Sequence, residues 1–249
     1  MEPLQPDTSY HIFNHANGFE NVFRKEENFY FFLEKYRLYI SPIAETYAYC
    51  LMPNHFHLVV RIRKRVVIEE LIRNKNNLSK NNFSNSNNFS KVSNLEKSVN
   101  IPQNEYDITK SINFGKVEKV ISDSDIEKYL SKQFANLFSS YTQSFNKVYR
   151  RMGSLFIKNF KREPIHDKTH FLNVIVYTHR NPVHHGFCSN YEDWDYSSYN
   201  EIINGICDRI ELEKLLKMTN GIESFKEMHR NALENFTPIN ELEIPPHDD

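Results

Sequence analysis

The sequence has little cysteine. Cys50, Cys188 and Cys207 are the whole complement, far apart and odd in number, with no Cys-x-x-Cys pair. That argues against a disulfide framework and against a thiolate zinc site; buried thiols in a reducing compartment are expected. No apolar run approaches the length that crosses a bilayer, so no membrane span is expected. Met1 to Tyr10 lack the basic-then-apolar pattern of a secretory leader, which fits a cytoplasmic protein. There is no His-Glu-x-x-His motif and no obvious pair of carboxylates, so a metal hydrolase has no matching signature. The glycine-bearing aromatic strand motif of an RNA-binding sheet is also missing.

What is present is enough for one large domain. The chain has 249 residues, 39% of them hydrophobic and 14% aromatic, so a real core can form. The net charge of −1 conceals an asymmetry. Residues 190–249 carry 14 acidic and 5 basic side chains, which leaves the preceding part clearly basic. Such a split fits nucleic-acid contact by the basic part, and equally an ordinary basic core with a solvated acidic tail.

Periodicity orders the elements. Thr8 to Asn14 suits a first strand, and Asn17-Gly18 marks a turn. Phe29, Phe32, Leu33 and Tyr36 give Glu26–Tyr39 the spacing of an amphipathic helix. Ile43–Leu51 and His55–Ile62, separated by Pro53-Asn54, read as adjacent antiparallel strands. From about Asn74 to Asn104 the chain is crowded with Asn, Ser and Lys. It is expected to be a long loop or flexible insertion, continuing to about residue 120. A helix starts near Asp123 and runs towards Phe145. Leu155–Phe160 is a strand candidate. Asp167 or Thr169 can cap a helix from Phe171 to about Arg180, which Pro182 is expected to stop. Residues 193–199 form a structured loop, and one or two short helices follow in the acidic tail. The order implies an α+β sandwich, an antiparallel sheet covered by helices.

Three groups of residues could carry chemistry. His55 and His57, two apart on a strand, point to one side and can share a cation; two half-exposed histidines on a strand face would look the same. Tyr177 and Asn181, four apart on a helix, share one face. A phenol can act as a nucleophile and an amide oxygen as a ligand, although a packing Tyr and a helix-terminal Asn fit the pattern too. Lys147, Arg150, Arg151, Lys158, Lys161 and Arg162 interleave with Tyr141, Phe145, Tyr149, Phe156 and Phe160. Cations for phosphates and rings for unpaired bases are what a single-strand binder needs. Solvated lysines over buried rings are the plain alternative. Arg61, Arg63 and Arg65 extend the same cationic track.

The run Leu51-Met-Pro-Asn-His-Phe-His-Leu-Val-Val60 resembles the His-hydrophobic-His motif of single-tyrosine HUH transposases, and most nearly the REP-associated tyrosine transposases. The resemblance continues in Tyr10–Asn14, Phe145-Asn146 with Gly153–Phe156, Tyr177–Gly186 and Trp194–Tyr199, and covers most of residues 8–200. It implies a ferredoxin-like core and a divalent ion, Mg or Mn, held by His55, His57 and Asn181, with Tyr177 as nucleophile. It further implies cleavage and strand transfer of single-stranded DNA at a hairpin, often as a homodimer. A domesticated, non-cleaving hairpin-binding protein is the alternative. On this reading residues 1–205 are the catalytic domain, with the insertion at about 74–120, and 206–249 are an acidic extension. That extension, the long insertion and Thr178 after the tyrosine depart from the family pattern.

Overall fold

The computed structural model describes residues 2–84, 120–206 and 208–235. Four strands, β1 (Ser9–His15), β2 (Ala44–Met52), β3 (His55–Ile62) and β4 (Lys161–Ile165), form one antiparallel sheet in the order β2-β3-β1-β4. Helix α1 (Glu26–Tyr39) connects β1 to β2. Helices α2 (Arg65–Ser84) and α3 (Asp123–Val148) lie between β3 and β4. This is the ferredoxin-like α+β arrangement expected from the sequence.

Both faces of the sheet are covered, and the alternation of β3 decides what meets what. Phe56 points to the α1 and α3 side, where it packs with Phe32, Phe138 and Phe156 at ring separations of 5.2, 5.8 and 5.9 Å. His55 and His57 point to the other side, towards α4 (Lys168–His184), which crosses β2 and β3. Residues 55 to 60 are therefore all buried. The amphipathic helix expected at Glu26–Tyr39 has the predicted bounds and buries Phe29, Phe32, Leu33 and Tyr36.

Four local expectations need correction. The segment expected to be a loop from Asn74 is helical as far as Ser84, because α2 starts on buried Ile68 and Ile72 and runs on. Asn and Lys do not break a helix; an ordinary residue costs at most about 0.7 kcal/mol relative to Ala. The rest of that insertion lies outside the described residues. The strand of the 154–165 window is Lys161–Ile165, not Leu155–Phe160. Leu155 and Phe156 are instead drawn into the core, and Asn159 takes a left-handed φ of 63° that ends any extended run. β4 is an edge strand, which is why it tolerates Pro164 and carries charge where an apolar alternation was sought.

Pro182 does not stop α4, which runs on to His184. The lost N–H falls in the closing turns, and the end is tied off by other bonds. Phe187 N–H donates to Pro182 O (2.8 Å), Gly186 N–H to Val183 O (3.0 Å), and Gly186 supplies the positive φ of 70° that this cap requires. Tyr177 and Asn181 thus stay on one helical face. Finally, Cys50 is a buried free thiol as expected, but Cys188 is only partly buried, because it lies in the loop beyond α4; Cys207 lies outside the described residues.

The acidic tail contributes two helices, α6 (Leu212–Thr219) and α7 (Ile222–Asn235), after the short α5 (Tyr199–Ile203). They pack back on the core: Ile210 bridges Thr46, and Phe225 and His229 are fully buried. No helix among the described residues is long and apolar enough to cross a membrane.

Candidate metal and tyrosine site

Three elements meet on the α4 side of the sheet. β3 brings His55 and His57. In β1, Phe13 pairs with His57 and His15 with His55, so His11, Phe13 and His15 share that face. α4 brings Tyr177 and Asn181. His11, His55, His57 and Asn181 are all at most 2% exposed, and Tyr177 is 5% exposed. The structure therefore gathers the two histidines, the tyrosine and the asparagine singled out in the sequence.

Hydrogen bonding fixes how the imidazoles present themselves. His55 Nδ1 lies 2.7 Å from Asn54 Oδ1. An amide oxygen only accepts, and of the two that flank the neutral His55 ring this is the nearer, so its one proton is assigned to Nδ1. His55 Nε2 then offers a lone pair, and it faces Asn181 Oδ1 at 3.2 Å. Two acceptors point at each other in a buried place. His57 Nδ1 lies 2.9 Å from His11 Nε2. The Tyr177 ring stands edge-on to His57 and to His11, with centroids 5.7 and 5.9 Å away. His15 stacks on His55 at 4.5 Å, and His185 meets its edge at 4.7 Å.

Burial holds these histidines neutral. It pushes His55 and His57 well below the ordinary imidazole range, and the neighbouring histidines push the same way. Burial also lowers His11 to about 3 and His15 to about 4. Neutral imidazole is the form that binds metals. Among the described residues no three His, Cys, Asp or Glu side chains assemble as a metal-binding group. The donor set here is of another kind, two imidazoles and an amide oxygen. A cation between the facing lone pairs of His55 and Asn181 would turn their repulsion into attraction, so these residues fit a small divalent ion.

No protein-family model matches the chain. No curated protein matches it either. Among solved structures, that of a REP-associated tyrosine transposase bound to a REP hairpin is similar to it, with 11% identity, 82% of this chain and 83% of that chain covered, and a TM-score of 0.46. A likeness that distant leaves function to the chemistry of this site.

His179, two residues after Tyr177 on the same helix, faces the other way. It is buried on the far side of α4, with Nδ1 2.9 Å from His229 Nε2 and Nε2 2.8 Å from Ser198 Oγ. The direction of these bonds is determined. His229 Nδ1–H donates to Phe225 O at 2.8 Å, so its Nε2 accepts from His179, whose Nε2 accepts from Ser198.

The basic residues divide into two groups. Arg61 pairs with Asp7, Arg63 lies by Ser41 O and Glu45, Arg65 binds Glu69 and Asp123, and Arg151 binds Glu20 and the Gly153 and Ser154 carbonyls. These arginines are engaged by partners within the chain. Lys147, Arg150, Lys158, Lys161 and Arg162 make no ion pair among the described residues; all are exposed except Arg162, which is partly buried. Lys161 lies opposite Phe13 in the sheet, on the side of the histidines.

Sequence reasoning missed His11, His15, Asn54 and His185 as neighbours of the site. His11 and His15 were findable, because they alternate with apolar residues in β1. His185 was not, since its approach to His55 depends on how α4 ends.

Proposed function

We propose that this chain is a metal-dependent, single-stranded DNA endonuclease and strand-transferase that works through a 5′-phosphotyrosine link at hairpin-containing DNA. The observation that carries the reading is the facing pair His55 Nε2 and Asn181 Oδ1, with His57 and the Tyr177 ring beside it in the same chain. His55, His57 and Asn181 would hold Mg or Mn, which when bound supplies Lewis-acid polarisation of the scissile phosphate.

The chain's own groups supply the rest. Tyr177 Oη attacks phosphorus. The bond from phosphorus to the 3′ oxygen breaks, that oxygen takes a proton, and the phenol's proton passes to the surroundings. The phosphodiester count is unchanged, so a new 3′-OH can reverse the step and join strands without ATP. His11 orients His57, and Asn54 orients His55, so that both rings keep a fixed aim. Lys161, exposed on the same face, is placed to meet a phosphate. Residues 1–205 form the catalytic unit of this reading, with 206–249 as its acidic extension. Because Tyr177 lies beside its own chain's His57, a homodimer would serve strand exchange rather than site assembly.

The test is a labelled hairpin oligonucleotide with single-stranded flanks, incubated with Mn²⁺ and scored for a covalent adduct on a denaturing gel. Wild type gives an adduct and Tyr177→Phe gives none, while both bind the oligonucleotide alike. No adduct with wild type, but binding retained, would point to the non-cleaving hairpin binder. A cut with no protein attached would point to a metal hydrolase.

A further inference from the structure

The tail helix α7 reaches the back of α4 through a directed run of hydrogen bonds. His229 Nδ1–H donates to Phe225 O, His179 Nδ1–H to His229 Nε2, and the Ser198 hydroxyl to His179 Nε2. Ser198 Oγ in turn accepts from Tyr49 N–H at 2.9 Å, and Ser198 N–H donates to Tyr49 O at 2.9 Å. The run therefore joins α7, α4, the loop before α5 and the backbone of β2. His179, Ser198 and His229 are fully buried, so bulk water does not replace a lost partner. Both nitrogens of both rings are engaged. Phe225 and Tyr199 pack on the His229 ring at 4.4 and 5.0 Å and hold its plane.

The run meets α4 midway between Tyr177 and Asn181. His179 lies about 200° around the helix axis from each of them, at about 100° per residue. α4 is thus gripped from behind while the phenol and the amide face His57 and His55. A turn of about 20° would carry a side-chain tip about 5 Å off the axis through about 2 Å. That is enough to part Asn181 Oδ1 from His55 Nε2, now 3.2 Å apart. The far end of the run is tied to the same sheet that holds the histidines. Tyr49 lies opposite Leu58 in β3, and the next residue, Cys50, lies opposite His57.

We propose that His229 is a positioning residue for the site on the opposite side of α4. Through His179 it sets the rotation of that helix, and so the aim of Tyr177 and Asn181 at the β3 histidines. The helix α7 of the acidic extension is then a working part of the site. This rests on the reading of the site given under the proposed function.

Three variants test it by calorimetric titration with Mn²⁺, well below every Tm. His229→Leu removes the acceptor for His179. His229→Gln keeps an acceptor there. Leu215→Ala loosens the tail from a buried position in α6, outside the run. His229→Leu is expected to weaken Mn²⁺ binding about tenfold, as loss of a partner that orients ligands does, and to slow adduct formation with oligonucleotide affinity unchanged. His229→Gln should restore both. Leu215→Ala should lower Tm and leave Mn²⁺ affinity alone. Wild-type affinity in His229→Leu, no rescue by glutamine, or an equal loss in Leu215→Ala overturns the proposal. Should wild type take up no Mn²⁺, the ¹⁵N signals of the His55 imidazole in the metal-free chain decide instead. Signals moved by leucine alone of the three, with no adduct in wild type, support the positioning role and sink the nuclease reading. An adduct and Mn²⁺ binding that are alike in all four chains sink the positioning role and leave the nuclease reading standing.

Discussion

His55 Nε2 and Asn181 Oδ1 face each other at 3.2 Å across the gap between β3 and α4, and Asn54 makes His55 Nε2 an acceptor like its neighbour. Both groups are buried, so neither is relieved by bulk water. On the metal-binding reading proposed above, their repulsion is the local cost of a place for a cation.

Metal should therefore stabilise the fold, and the effect should need Asn181. Saturating Mn²⁺ at about a hundredfold over its Kd is worth roughly 2.7 kcal/mol, a rise of roughly 5–10 °C in Tm for a chain of this size. In Asn181→Leu the rise should vanish, while the metal-free Tm stays level or increases because an unfavourable acceptor pair is gone. Thermal melts with and without Mn²⁺ decide it. An equal metal-induced rise in the variant removes Asn181 from the ligand set.

His11 should matter through His57. It bonds His57 Nδ1 at 2.9 Å, and partners of this kind set a ligand's tautomer and aim. His11→Phe is expected to weaken Mn²⁺ binding by about 10–100-fold, with the fold intact by circular dichroism. Isothermal titration measures this without any turnover, and unchanged affinity would count against the role.

Arg151 and Lys161 should separate stability from DNA contact. Arg151 is held by Glu20 and two loop carbonyls, so Arg151→Ala lowers Tm and leaves the salt dependence of DNA binding alone. Lys161 is exposed without an ion pair, so Lys161→Ala leaves Tm unchanged and lowers the salt slope by about 0.7. The reverse pattern would mean that Arg151 binds DNA.

Acid stability should depend on His229. Burial lowers its pKa from 6.5 to about 4 in the folded chain. Above pH 6.5 folded and unfolded chains both hold it neutral, and its bond to His179 is intact. Between pH 6.5 and about 4 the unfolded chain takes up a proton that the folded chain refuses, so stability falls with acid by about 1.4 kcal/mol per pH unit. Glutamine can keep the acceptor that faces His179 but does not titrate. His229→Gln should flatten the urea-unfolding stability profile by close to one proton across that window. A profile as steep as wild type would show that other groups set the slope.

Much of the layout was legible in the sequence because periodicity is local physics. The alternation of His55 to Ile62 reports a strand with two different faces, and Phe29, Phe32, Leu33 and Tyr36 report a helix with one buried stripe. Two of the four corrected readings show what a residue-by-residue reading misses. β4 has few apolar residues because it lies at a sheet edge, and an edge is a property of the assembled sheet. α4 runs through Pro182 because the Gly186 cap closes the helix beyond it.

By itself the sequence determined which side chains could do chemistry and which local faces they occupy: two imidazoles on one side of a strand, a phenol and an amide on one side of a helix. Only the tertiary structure decided that these faces meet, that His11 and Asn54 orient the two rings, and that His179 turns away to His229. The reason is that side-chain direction follows from the repeat of each element, whereas convergence depends on how the sheet and helix pack over a core built from residues distant in the chain.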